Sequence, residues 1–365
     1  AGVQSGTFGP AVGRPIIRGL EGARVQVLQS GVSSLDVSTV SADHAVTIEP
    51  FLADQIEILK GPSTLLFGSG AIGGVVNMVD GRIAEAPVEG FGGRAELHGN
   101  TVNNERAGMV RLDAMHVDYV RRDGDDFDLP DGSLLNSAID QKSGAAGAGY
   151  ASDAGFLGVS FSRYDSLYGI PLGPSNAEPE AGEEAEEIRL DQEQTRVDVR
   201  GGIYSPWTWL DKLSFRFADN DYEHVELADG EIGTRFTNDA WEGRIEAVHA
   251  GFGGWTGAFG YQASSRDFAA IGAEAFVPPT TTDDWGLFLI ERREFEPFEL
   301  ELGARYDSVE SETDTGLSSD HSPVSLSAAG LWRFSEAWHA SLNLDRAQRA
   351  PVAEELYSDG PHEAT

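Results

Sequence analysis

The sequence has no cysteine, few basic residues and no long apolar run. Without thiols the chain can form neither a disulfide scaffold nor a thiolate metal site, so any bound metal must rest on carboxylate and imidazole ligands. The 60 acidic residues against 26 basic ones give a net charge of -34, which argues against a nucleic-acid partner. No stretch approaches the roughly 18 apolar residues of a membrane-spanning helix. The two classes of protein that remain are a soluble acidic protein and a membrane β-barrel.

The character of the 365-residue chain changes between about residues 84 and 88. Residues 1–83 are rich in glycine and are typical of a compact α/β unit. Within them, "PIIRGLEGARVQVLQSG" predicts two short strands across a turn at Glu21-Gly22, and "EPFLADQIEILKGP" predicts a short helix running into a strand. Beyond about residue 88, segments of roughly ten residues alternate in polarity between turn-forming clusters, which predicts an antiparallel β meander.

The alternation in the later part of the chain separates an apolar face of each strand from a face of charged or small residues. In "LSFRFAD", Leu213, Phe215 and Phe217 share one face of a strand, and the same period of two recurs in "FLGVSFSR", "TRVDVRG" and "LELGARY". A soluble sandwich also alternates, but the tryptophans here lie near the ends of the apolar stripes, which suits a barrel that faces lipid. The sequence therefore favours a transmembrane barrel.

The predicted links between strands support the same interpretation. Short links such as "GGW" at 253–255 alternate with long acidic ones at 123–144 and 169–192. A membrane barrel has brief turns at one rim and extended loops at the other, whereas a compact sandwich has no reason for structureless excursions of about twenty residues. The predicted fold class is thus a β-class antiparallel membrane barrel with an N-terminal α/β domain.

Gly68, Gly70 and Gly73 satisfy the G-x-G-x-x-G pattern of dinucleotide-binding sites. Such a site needs a helix after the third glycine, but "GGVVNMV" follows here, and its valines favour a strand. We therefore expect these glycines to let the backbone pack closely within a small sheet.

Three stretches together resemble the TonB-dependent outer-membrane receptors. "RPIIRGLEGARVQVLQSGV" and "EILKGPSTLLFGSGAIGGVVNMV" are similar to the family's plug domain, and "RAQRAPVAEELYSDGPHEAT" is similar to a segment in the middle of its barrel. The resemblance implies a plug domain over 1–83, a barrel over 84–365 and a place in the outer membrane of a Gram-negative bacterium. It also implies gated import without covalent chemistry or a required cofactor, driven by TonB and its inner-membrane complex.

More narrowly, "STVSADHAVTIEP" is similar to the ZnuD-type zinc-uptake branch of that family. The resemblance implies that Asp43 and His44 are metal ligands on the plug and that zinc is the transported ion. Two ligands are too few for zinc, so the barrel must supply more. His362 lies in the matching "GPHEAT" stretch, and Glu223 and His224 in "NDYEHVEL" are further candidates.

Other interpretations of these residues stay open at the sequence level. Asp43 in "SADHA" is also a plausible helix N-cap beside a solvated His44. The acidic loop "GPSNAEPEAGEEAEE" contains no histidine, unlike the histidine-rich loops of the zinc receptors, and it would gather cations with little selectivity for zinc over calcium or magnesium. Zinc is therefore one of several possible metals.

Alternative functions are uptake of a siderophore, haem or another organic ligand, and, outside the family, a carbohydrate-binding or hydrolytic protein on a β scaffold. About 12 or 13 strands are predicted after residue 88, whereas receptors of this family close their barrels with about 22. We therefore expect a partial barrel, because an open sheet edge is costly in lipid.

Overall fold

The computed structural model describes residues 2–9, 11–88, 90–113, 115–174, 187–272 and 275–360. Strands dominate the described chain. Its helical elements are the short α-helix α1 (Ala353–Tyr357) and 3-10 turns at Gly22–Arg24, Pro50–Leu52 and Pro62–Phe67. None of these helices has the length and apolar character needed to cross a membrane.

The N-terminal part folds into two small sheets. Its strands are β1 (Val3–Thr7), β2 (Gly13–Ile17), β3 (Val25–Gln29), β4 (Val32–Ser33), β5 (Gln55–Leu59) and β6 (Gly74–Val79). Strands β1 and β2 form a hairpin, and the other four pair in the order β4-β3-β6-β5 with β3 parallel to β6. The two strands expected around Glu21-Gly22 are therefore present as β2 and β3, but they belong to different sheets. The short helix expected before β5 is the 3-10 turn at Pro50–Leu52.

The glycine-rich stretch leads into a strand and not into a helix. Gly74 opens β6 at φ +150°, and a Cβ added there would lie 2.9 Å from the carbonyl oxygen of Leu59 and 2.8 Å from Cδ1 of Ile17. A Cβ on Gly73 would lie 3.0 Å from Cβ of Leu20. Close packing is thus confirmed for Gly73 and extends to Gly74, whereas Gly68 has nothing within 4 Å of an added Cβ and is distinguished by its φ of +107°.

We expect Gly74→Ala to destabilise the plug by about 1–3 kcal/mol, because it adds a Cβ where the backbone conformation and the neighbouring strand both exclude one. Hydrogen-exchange protection of β5 and β6 amides measures the effect. Gly90→Ala is a matched control, because its φ of +83° is also positive but nothing lies within 4 Å of the added Cβ. Equal losses of β6 protection in the two variants would show that close packing is not what requires Gly74.

The rest of the described chain forms a large antiparallel sheet. Its 14 strands are β7 (Gly92–Asn100), β8 (Glu105–Asp113), β9 (His116–Gly124), β12 (Ile139–Ser152), β13 (Gly155–Gly169), β15 (Ile188–Trp207), β16 (Leu210–Ala228), β17 (Glu231–Phe252), β18 (Trp255–Gly272), β19 (Thr280–Phe295), β20 (Phe298–Thr313), β21 (Ser318–His321), β22 (Val324–Arg333) and β23 (His339–Arg346). Neighbours in sequence pair along the sheet, β21 is a side strand on β20, and β7 and β23 are its two edges among the described residues. The predicted antiparallel meander is confirmed, and it is not closed within the described chain.

The two faces of this sheet differ as the sequence predicts. Leu157 and Phe161 in β13 are 57% and 51% exposed, whereas Ser160 and Ser162 between and beside them are buried. On β15, Arg196 is buried and its Nη1 donates a hydrogen bond of 2.7 Å to the plug carbonyl of Ser33. The apolar face is thus the outer one, and the polar face encloses the plug. Phe215, which the sequence places on the oily face, is 39% exposed.

The two ends of the sheet have different connections. At the short-turn end, β17 meets β18 through Gly253-Gly254. At the long-loop end, β9 connects to β12 and β13 connects to β15. The first of these long links is not structureless, because it contains a hairpin of β10 (Phe127–Leu129) and β11 (Gly132–Leu135), which pairs further with β14 (Gly173–Pro174).

Candidate metal centre

The plug loop between β4 and the turn at Pro50–Leu52 is held in shape by Asp36. One carboxylate oxygen of this buried residue accepts hydrogen bonds from the backbone N–H and hydroxyl of Ser38. The other accepts from the backbone N–H of Thr47 at 3.0 Å and from its hydroxyl at 3.2 Å. Asp36 therefore ties the two ends of the loop together, and the residues between them form its tip.

Residues of the barrel wall form hydrogen bonds to the tip of this loop on both sides of His44. The hydroxyl of Tyr168 on β13 donates to the carbonyl of Asp43 and accepts from the N–H of Ala45, both at 3.0 Å. Nε2 of Gln192 on β15 donates to the carbonyl of Ala45 at 3.3 Å. These contacts fix the backbone of His44 against the sheet, so its side chain has a defined direction.

His44 meets two residues of β16 near the long-loop end of the barrel. His44 Nε2 lies 3.5 Å from Oε1 of Glu226, and His224 Nε2 lies 3.9 Å from the same oxygen. One ligand atom from each of the three residues lies within 4.8 Å of the other two. Both imidazoles are fully buried and Glu226 is 5% exposed.

The other ring nitrogen of each histidine contacts the protein. Nδ1 of His44 lies 3.2 Å from the carbonyl oxygen of Val37, which can only accept, so Nδ1 carries the hydrogen. Nδ1 of His224 lies 2.8 Å from the hydroxyl of Tyr222. Partners of this kind orient the ring and direct Nε2 toward the centre of the cluster.

Phe236 on β17 forms an apolar wall beside the two imidazoles. Its ring stacks on that of His224 with centroids 4.5 Å apart and meets the ring of His44 edge-on at 5.0 Å. Phe236 in turn belongs to a buried apolar cluster with Val37, Val40, Tyr222, Phe268, Ala270, Phe276, Val277 and Ala353. The cluster limits the motion of both rings and keeps bulk water away from them.

The structure brings together two of the five residues predicted as ligands, His44 and His224. Asp43 is buried next to His44, and its carboxylate accepts a hydrogen bond from the hydroxyl of Ser41. Glu223 is not part of the cluster, because it lies on the outer face of β16 and pairs with Arg235 at 3.2 Å. His362 lies outside the described residues, as do residues 175–186 of the acidic loop.

Glu226 is the member of the cluster that the sequence prediction missed. The period of two along "NDYEHVEL" was the signal that would have found it, since His224 and Glu226 share a face of the strand and Glu223 has the opposite one. The interpretation of His44 as a solvated residue at a helix start is wrong, because residues 41–49 form no helix and the side chain is fully buried.

Comparison with known proteins gives two family matches. Residues 1–75 match the TonB-dependent receptor plug domain, and residues 128–365 match the TonB-dependent receptor-like β-barrel. Similar solved structures include the copper transporter OprC, with a TM-score of 0.79 and 15% identity over 98% of this chain. The FrpB iron transporter from Neisseria meningitidis, F5-1 variant, has a TM-score of 0.76 and 14% identity over 96% of this chain. The chain covers 60% and 61% of those two proteins.

Proposed function

The chain belongs to the family of TonB-dependent outer-membrane receptors, and on that premise we propose that it imports a divalent transition-metal ion, with zinc as the cargo. Family membership places it in the outer membrane of a Gram-negative bacterium, among transporters and not among enzymes. The observation that carries the proposal is the buried cluster of His44, His224 and Glu226 between plug and barrel.

The chemistry of the cluster suits zinc. Two imidazole nitrogens and one carboxylate oxygen are ligands that Zn²⁺ prefers, and three protein ligands leave a fourth position for water or for another residue. Cu²⁺ also accepts this donor set, whereas Cu⁺ prefers thioether and thiolate sulfur, which the cluster does not offer. Ca²⁺ and Mg²⁺ prefer sites made of oxygen alone. The Val37 carbonyl and the Tyr222 hydroxyl are the outer contacts expected of metal-binding histidines.

The solved structures similar to this chain include a copper transporter and an iron transporter and also a siderophore receptor, so the ligand set of the site separates a metal ion from an organic cargo. The lumen at Asp43 and His44 presents imidazole and carboxylate, which favours a metal ion over a large organic ligand. A siderophore or haem would call for an open chamber lined by aromatic rings and arginine.

His362 remains our candidate for the fourth ligand. The last described residues lie near the site, because the N–H of Asp359 donates a hydrogen bond to the carbonyl of Phe276 at 2.7 Å. Phe276 belongs to the same apolar cluster as Phe236, whose ring stacks on His224. In this proposal the ion enters at the long-loop end, binds between plug and barrel, and is released when TonB and its inner-membrane complex pull on the plug.

A titration of the whole protein in detergent with Zn²⁺ and Co²⁺ tests the proposal. We expect one tightly bound Zn²⁺ per chain, and we expect bound Co²⁺ to show the intense visible absorption of a four-coordinate site. An excess of Ca²⁺ should not displace either ion, because a site with two imidazoles favours transition metals. The absence of saturable one-to-one binding would refute the proposed cargo and leave the family assignment intact.

A further inference from the structure

A partly open space lies between plug and barrel, on the other side of the plug segment that contacts His44. It is a cavity of about 260 Å³, bounded on the plug side by Leu35 and Ser38 and on the barrel side by β17–β20. The intervening Val37 is the residue whose carbonyl contacts His44. One short plug segment, residues 35–38, therefore separates the cavity from the metal centre.

The barrel wall lines this cavity with three carboxylates, Glu242, Asp284 and Asp307, and the plug adds Asp36, which accepts from Ser38 and Thr47. Strand register places the first two at one height, since Ser264 pairs with both Glu242 and Asp284. Glu242 is six residues from Phe236 along β17, in the direction of the short-turn end, which corresponds to roughly 20 Å. The carboxylates thus lie deeper in the barrel than the metal centre.

The charges in the cavity are not balanced by the cations beside it. Arg305 donates to Oδ1 of Asp307, to the carbonyl of Leu65 and to the side chain of Gln262, so it neutralises one carboxylate. The other two arginines at the cavity wall pair with carboxylates of α1: Arg266 with Glu354 at 3.1 Å and Arg349 with Glu355. Among the described residues, Glu242 accepts from Gln262 at 2.9 Å and from the N–H of Ser33 at 3.2 Å, and Asp284 accepts from the hydroxyl of Ser264.

Asp307 adds an independent sign of a missing ligand. The residue is 2% exposed and lines the cavity, and its Oδ2 is buried without a hydrogen-bond partner among the described residues. Arg305 contacts Oδ1 of the same carboxylate, but a buried oxygen such as Oδ2 is costly unless a water or a second cation contacts it.

We propose that this cavity is a second cation chamber, in which Glu242, Asp284 and Asp307 hold a hydrated divalent ion. Within the described residues these carboxylates do not converge on one point as the histidine cluster does, so the ion is held largely through its water shell. The volume suits this arrangement, because 260 Å³ accommodates about eight waters at ~30 Å³ each, more than the about six of an octahedral hydrated ion. The inference rests on the proposed import of a metal ion and assigns that ion a second binding site, deeper in the barrel than the first.

The test uses the whole protein in detergent with the first site removed by His44→Ala and His224→Ala. Mn²⁺ is the probe, because it prefers oxygen ligands and its binding is measured directly by electron paramagnetic resonance. Moderate salt suppresses weak binding to exposed carboxylates. We expect a bound Mn²⁺ whose Kd rises at least tenfold when Asp284 is replaced by asparagine.

Asp283→Asn is the matched control. Asp283 is the neighbouring residue on β19, has the same chemistry and lies exposed on the outer face, so its replacement should leave Mn²⁺ affinity unchanged. Glu242→Gln serves as a second chamber variant should Asp284→Asn fail to fold. Equal affinity in the chamber variant and in Asp283→Asn would overturn the proposal. Failure of the first site would instead appear in the Zn²⁺ titration of the unmodified protein, so the two proposals are tested separately.

Discussion

Replacing Glu226 by glutamine is expected to lower the Zn²⁺ affinity of the protein by more than about 100-fold. The substitution keeps the shape of the side chain but removes the negative charge and the stronger ligand oxygen. Loss of an outer contact of a metal site typically costs about 10- to 100-fold in affinity, and loss of a direct ligand should cost more. Glu226 contacts both imidazoles, at 3.5 Å and 3.9 Å, so its charge is also the nearest counter-charge to an ion held by them.

Glu223→Gln is the control for this prediction. Glu223 lies three residues away on the same strand and pairs with Arg235 on the outer face, where an exposed ion pair contributes about 0–1 kcal/mol. Isothermal titration of both variants with Zn²⁺ should show the loss only for Glu226→Gln. The double change His44→Ala and His224→Ala should remove the same binding event. Similar affinities for the two glutamine variants would contradict the assignment of Glu226 as a ligand.

The second large effect concerns the attachment of the plug to the barrel through Asp80, at the end of β6. This carboxylate is 1% exposed and lies 3.5 Å from Arg200 of β15 and 3.8 Å from Arg82. It also accepts hydrogen bonds from Gln29 at 2.8 Å and from Ser30 at 3.0 Å. We expect Asp80→Asn to destabilise the plug by about 3–5 kcal/mol, because it removes the counter-charge from buried Arg200 and leaves buried Arg82 with Asp118 alone, at 3.2 Å.

The Asp80 network should also give a defined dependence on pH. Burial alone would raise the pKa of Asp80, but the charges of Arg200 and Arg82 and the hydrogen bond from Gln29 outweigh it and hold the pKa well below its ordinary value. A lowered pKa in the folded state means that the stabilisation is complete above the ordinary aspartate pKa of about 3.9 and is lost as the pH falls below it. At pH 2.5 the difference between native and Asp80→Asn proteins should therefore be smaller by about 2 kcal/mol.

Urea unfolding of the plug, followed through the exchange protection of β6 amides, measures both effects. Asp54→Asn is the control, because Asp54 also pairs with an arginine, Arg111, but its side chain is 38% exposed. We expect that variant to lose less than about 1 kcal/mol. If the two asparagine variants lose equal stability at pH 7, or if the Asp80 effect is the same at both pH values, the network does not anchor the plug through charge.

Much of the fold was predictable from local sequence patterns. The period of two in "FLGVSFSR" and "TRVDVRG" identified the outer and inner faces correctly, because alternate side chains of a strand point to opposite sides whatever the strand pairs with. The valines after Gly73 predicted β6 for a similar reason, since β-branched residues favour extended backbone. The partner of each plug strand was not predictable, and β2 and β3 proved to lie in separate sheets.

At the candidate site, too, some features follow from the sequence and others only from the tertiary structure. The sequence by itself determined the chemistry available, a chain without thiols in which histidine and carboxylate are the only metal ligands of high affinity, and it identified His44 and His224 as candidates. Only the tertiary structure decided that these two histidines meet, that Glu226 joins them and that Glu223 does not. The reason is physical: their contact depends on how deep the plug sits in the barrel and on the register of β15, β16 and β17, and both follow from packing between residues far apart in the chain.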